Sequence, residues 1–162
     1  KVSVGTNLLD YADLATLNLE TSFALARHWS LSVDTKYNPF TFHKDGGQMQ
    51  RRQQSYSVGC RWWAWYVWSG WWTASALKYQ EYSWGGIGRT VAEEGDRLGA
   101  SFYAGYSYML GPHLNLDMSL GFFTGLKWYS VYSCPTCGVL LDKGMKFFIL
   151  PDNIRLALDV IF

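Results

Sequence analysis

Apolar and polar residues alternate along most of this 162-residue chain. In residues 153–162 (NIRLALDVIF), Ile154, Leu156, Leu158, Val160 and Phe162 share one parity, while Asn153, Arg155 and Asp159 share the other. A β-strand sends alternate side chains to opposite faces, so such a segment is apolar on one side and charged on the other. The same period recurs over residues 1–10, 16–26, 29–39, 51–63, 71–84, 97–110, 114–132 and 146–162, which predicts eight strands. Pro151 marks the point in the last strand where regular pairing is expected to break. Residues 27–28 and 111–113 read as tight turns, 11–15 and 64–70 as intermediate connections, and 41–50, 85–96 and 133–146 as long loops. An even number of strands with this rhythm predicts an all-β fold, an eight-stranded antiparallel up-and-down β-barrel forming one domain over residues 1–162.

Which face points outward decides between a soluble and a transmembrane barrel. The apolar parity is nearly free of charge in the middle of each strand, with Arg52 and Glu81 near the strand ends. The opposite parity mixes ions with small residues such as Gly59, Gly99, Gly105, Gly121 and Gly125. Together with the terminal aromatic Phe162, which resembles the C-terminal sorting signal of bacterial outer-membrane barrels, this favours the transmembrane form. Short connections would then be periplasmic and long loops extracellular, with both chain ends in the periplasm. Six of the nine tryptophans, Trp62, Trp63, Trp65, Trp68, Trp71 and Trp72, surround one short connection and are expected to form an aromatic girdle at the membrane interface.

Composition narrows the function. A formal net charge of +1 offers no basic field for nucleic acid. No apolar run approaches the roughly 20 residues of a membrane helix. The start at Lys1 reads as a processed chain whose signal peptide has been removed. The inner parity would hold Glu20, Asp34, Asp117 and Asp159 against Lys36, Arg61, Lys78, Arg97, Lys127 and Arg155. Buried charges must be paired or hydrated, so a charge network plugging the lumen is expected.

Candidate chemistry is sparse. Cys134-Pro135-Thr136-Cys137-Gly138 has the shape of half a zinc knuckle, but no second CxxC completes four ligands. Cys60 faces the other way, and His43 would supply one ligand at most. A local Cys134–Cys137 disulfide is the expected state in an oxidising loop, with a reduced pair or a metal half-site shared with a partner as alternatives. His28 and His113 lie in turns, and no nucleophile, base and orienting acid stand at a recognisable spacing. The stretch GGIGRTVAEEG contains no phosphate-binding GxGxxG. Its Glu93 and Glu94, with Asp96, read as a solvated charged loop, a weak divalent-cation site being the alternative. No cofactor, metal or catalytic residue is expected.

The segments VSVGTNLLDY, HWSLSVDTKYNPF, RWWAWYVWSGWW, EGDRLG, GYSYML, CPTCG and FFILPDNIRLALDVIF give the chain a specific character. In these the chain resembles, over essentially its whole length, the small outer-membrane barrels of Bacteroidota gathered as a domain of unknown function. That resemblance implies an outer-membrane barrel of the broader OmpA/OmpX-like type, and a neighbourhood of fimbrillin-type surface-fibre genes. It supplies no catalytic residues. The expected function is that of a non-enzymatic accessory or surface-interaction subunit in contact with outer-membrane lipid, lipopolysaccharide and a protein partner. The alternative is a narrow pore or a lipid A-modifying enzyme.

Overall fold

The computed structural model describes residues 1–13, 15–44, 47–85, 91–133 and 138–162, apart from the side chains of residues 42–44, 47–49 and 153. Strands β1 (Val2–Asn7), β2 (Leu17–Ala26), β3 (Trp29–Asn38), β4 (Thr41–Lys44), β5 (Gly47–Trp63), β6 (Gly70–Gly85), β7 (Ala92–Met109), β8 (Leu114–Tyr132) and β9 (Leu140–Ile161) form a nine-stranded sheet. Among the described residues one helix, α1 (Leu8–Ala12), follows β1. Every pairing is antiparallel, in the order β3-β2-β1-β9-β8-β7-β6-β5-β4. β3 also pairs with β5, so eight strands have a hydrogen-bonded neighbour on each side. Only β4 lies outside that circuit. It folds back on the first residues of β5, beyond the point where the β3–β5 ladder stops at Asn38↔Gln53.

Several boundaries differ from expectation for local reasons. The first strand stops at Asn7 because its side chain accepts hydrogen bonds from the backbone N–H of Leu9 (3.3 Å) and of Leu156 (3.0 Å). That caps a short helix where a strand was expected to run to residue 10. The expected loop 41–50 instead contains the β4–β5 hairpin. Residues 92–96 belong to β7 and 140–145 to β9, because backbone ladders continue past the apolar stretches that identify the strands. In β9 the ladder breaks just after Pro151: Ser119 pairs with Arg155 and Gly121 with Asp152, so two steps on β8 oppose three on β9. An extra residue of this kind switches the face of everything beyond it. Phe147 and Ile149 are therefore exposed before the bulge, and Ile154 and Val160 after it.

The two faces differ sharply. Large apolar side chains such as Leu19, Leu25, Leu98, Leu120 and Phe147 are exposed, and Leu77 is 71% accessible. Glu20, Arg61, Lys78, Arg97, Asp117, Arg155 and Asp159 are buried on the other face. The buried apolar cluster is Trp63, Trp68 and Trp72, at the end of the sheet near the short 64–70 connection. Trp68 reaches it with a positive φ of 65°, a conformation disfavoured for a bulky side chain. Its indole is buried there and donates to Ser22 Oγ at 3.3 Å.

Candidate functional site

The inner face carries the chemistry, and it divides into two halves. Nearer the tryptophan cluster, four strands deliver five charged side chains to one place. Glu20 comes from β2, Arg61 from β5, Asp117 from β8, and Arg155 and Asp159 from β9. The Arg61 guanidinium donates to Glu20 and, at 3.2 Å, to Asp117. Arg155 donates to the other oxygen of Glu20 and, at 2.9 Å, to Asp159. Asp117 is fully buried and accepts a second bond, from Trp72 Nε1 at 3.0 Å. Shared carboxylates and forked guanidinium groups offset the cost of burying each ion, which an isolated pair would not do. Arg61 also lies 4.4 Å from the centre of the Trp72 ring.

Room for this packing comes from residues without side chains. A Cβ at Gly105 would lie 2.7 Å from Trp72 Cζ2, 2.7 Å from the Ser119 Cβ and 2.4 Å from the Met118 carbonyl oxygen. Gly105→Val is therefore expected to cost about 1–3 kcal/mol through overpacking. Gly111→Val, where nothing lies within 4 Å, is the control, expected within about 0.5 kcal/mol of the parent. Urea midpoints of the two variants check this.

The tryptophan expectation needs correction. Trp62, Trp65 and Trp71 are exposed, but Trp63, Trp68 and Trp72 are buried on the inner face. Neighbours on a strand cannot share a face, so Trp62 and Trp63, and likewise Trp71 and Trp72, diverge. The buried three form a core rather than part of a belt. Trp63 Nε1 donates to Ser30 Oγ at 2.9 Å, and its ring tilts against Trp72 at 5.8 Å between centroids.

In the other half of the inner face, each expected lysine has its own partner instead of joining one network. Lys36 pairs with Asp10 (2.8 Å), Lys78 with Asp152 (2.7 Å) and Lys127 with Glu93 (2.9 Å). Arg51 pairs with Asp13 at 2.6 Å. Asp34 forms no ion pair among the described residues. Arg97 is buried without a carboxylate partner among the described residues. It donates to Gln80 Oε1 at 3.3 Å and stacks on Tyr82 (3.9 Å), Trp84 (4.6 Å) and Phe148 (5.7 Å). Asp10, Asp13, Arg51, Gln80, Trp84 and Asp152 were absent from the sequence-derived interior set. Asp10 and Asp13 enter through the unexpected helix and the turn after it, and Asp152 through the bulge that reverses parity in β9.

The remaining candidates are more dispersed. Cys134 and Cys137 lie outside the described residues, as does the side chain of His43. Cys60 is exposed as a free thiol. His28 Nδ1 is 2.9 Å from the Trp63 carbonyl oxygen, and His113 Nδ1 is 3.0 Å from that of Ile161, so both rings are engaged with backbone. Glu93, Glu94 and Asp96 lie in β7 rather than in a loop. Glu93 accepts from Lys127 and Tyr82 on the inner face, while Asp96 accepts from the exposed Tyr79 at 3.1 Å. Alternation separates them, and no group of three metal-ligating side chains occurs among the described residues.

A family model described as "Protein of unknown function (DUF3575)" matches residues 1–162. No curated protein matches the chain, and no solved structure does.

Proposed function

The chain belongs to this family of unknown function along its whole length, and within it we propose an eight-stranded outer-membrane β-barrel that serves as a non-enzymatic accessory or surface-interaction subunit. The observation that carries the reading is the inverted distribution of polarity. Eight strands pair in a circuit, ions are buried inside it, and large apolar side chains face outward all around it. In water that outer surface would be an aggregation liability, whereas in a bilayer it is the required lipid contact. A closed circuit also satisfies the backbone hydrogen bonds that hydrocarbon cannot satisfy. The exposed Trp62, Trp65 and Trp71 would sit at one interface. The short connections and both ends of the chain would face the periplasm, and the connections within 41–50, 85–96 and 133–146 would face outward from the cell.

An accessory role is favoured over a pore because the ion pairs and tryptophans fill the inner face at the end bearing the short connections. The described side chains also set guanidinium groups, not histidines, against the buried carboxylates. Contact with lipopolysaccharide and a protein partner belongs to this proposal, and the family resemblance implies a larger outer-membrane or fimbrial assembly as its setting.

The native protein is expected to fractionate with the outer membrane and to change electrophoretic mobility on boiling, as folded barrels do. A tagged copy extracted in mild detergent should retain a stoichiometric partner, and shortening the 41–50 and 133–139 connections should abolish that capture while leaving the mobility shift. Recovery in the soluble fraction would overturn the barrel. Reproducible single-channel conductance, or altered lipid A, in a protein that purifies alone would overturn the accessory role.

A further inference from the structure

A cavity of about 380 Å³ opens on the inner face, away from the tryptophan cluster, between α1, β6, β7 and the bulge of β9. Its volume lies within the range of small-molecule sites. Four cations line it, Lys36, Arg51, Lys78 and Arg97, against three carboxylates, Asp10, Asp13 and Asp152. The carboxylates are each taken, by Lys36, Arg51 and Lys78 in turn. Arg97 is the cation left over, and it is only 4% exposed. Glu93, the next acid along β7, is already held by Lys127 and by the Tyr82 hydroxyl.

Two buried donors at this spot have no acceptor among the described residues: Arg97 Nε and the indole Nε1 of Trp84. Both residues line the cavity. A buried guanidinium without a counter-ion and a buried indole N–H without an acceptor are each costly, and an anionic oxygen is the acceptor each calls for. We propose that this cavity binds a small organic monocarboxylate, its carboxylate against Arg97 and Trp84 Nε1. One guanidinium matches the single charge of a monocarboxylate. Phe123, Leu150 and Trp84 on the cavity wall select a carboxylate with an apolar body. This goes beyond the accessory role, since it gives the barrel a ligand of its own.

The test uses the full-length protein folded in detergent, with benzoate as the probe and isothermal titration and tryptophan fluorescence as readouts. Saturable binding at one site is expected, with benzyl alcohol, its neutral analogue, failing to compete. Arg97→Met, which keeps an apolar side chain among the three aromatic rings, should weaken benzoate by about tenfold or more. Trp84→Phe removes the N–H and part of the indole while keeping an aromatic ring, should weaken it less, and serves if Arg97→Met does not fold. No saturable benzoate binding would overturn the proposal. So would unchanged affinity in both variants, or inorganic phosphate binding more tightly than benzoate.

Discussion

Arg61→Ala should lower the stability of the folded protein by about 3–5 kcal/mol, because it takes a counter-ion from two buried carboxylates at once. Glu20 would keep Arg155, but Asp117, fully buried, would keep only the Trp72 N–H. The loss would be read as a drop in urea midpoint, followed by tryptophan fluorescence on detergent-folded protein. Two comparisons separate a network from simple packing. Arg61→Met combined with Asp117→Asn should recover a substantial part of the loss, since it removes the stranded charge along with its partner. Lys127→Ala removes a base whose pair with Glu93 is about a quarter exposed, at 22% and 25%. It should therefore cost no more than about 1 kcal/mol. If Arg61→Ala were as mild as Lys127→Ala, the buried cluster would not be holding the strands together.

Trp72→Ala should be of similar severity, about 3–5 kcal/mol, because it empties the space between Trp63, Tyr103 and Arg61. The Trp72 ring lies 5.8 Å from that of Trp63, 6.3 Å from that of Tyr103 and 4.4 Å from the Arg61 guanidinium carbon. Trp72→Phe keeps a six-membered ring but loses the rest of the indole and the bond to Asp117, and should cost about 1–3 kcal/mol. The adjacent Trp71 is 63% exposed and packs edge-on to Tyr106 at 5.2 Å. Trp71→Ala should cost well under half as much as Trp72→Ala in the same urea titration. Equal losses at 71 and 72 would mean that the two rings do not occupy opposite faces.

Much of this architecture was legible because strand periodicity is strict. The parity of Arg61, Lys78 and Asp117 could be read directly, since each stands between apolar neighbours on a regular strand. Parity also contained the answer for the tryptophans: once Arg61 faces inward, Trp62 faces out and Trp63 in. Treating the six as one belt set aside the alternation that had identified the strands. Other features were not legible because they depend on partners far away in the chain. The Asn7 cap is made partly by the distant Leu156 N–H, and β4 exists only by pairing with β5. The bulge in β9 hides Asp152, because reading one unbroken period from Phe162 assigns it to the wrong side. The cavity beside Arg97 was invisible for the same reason, as its walls come from the helix and turn after β1 and from the reversed part of β9.

The arrangement of β9 also ties the order of assembly to charge. Its final stretch pairs with β1 through Ser3↔Ile161 to Asn7↔Ala157, and the same stretch carries Arg155 and Asp159. Arg155 meets Glu20, 135 positions earlier in the chain, only when the last strand has found the first. Until that seam forms, Glu20 lacks one of its two bases and Arg155 has neither Glu20 nor a dry environment to hold it. Sealing the circuit and discharging its interior are thus a single cooperative event. A sheet lacking β9 would leave its inner face open to water, and the seam doubles as a latch that engages only once β9 has docked on β1.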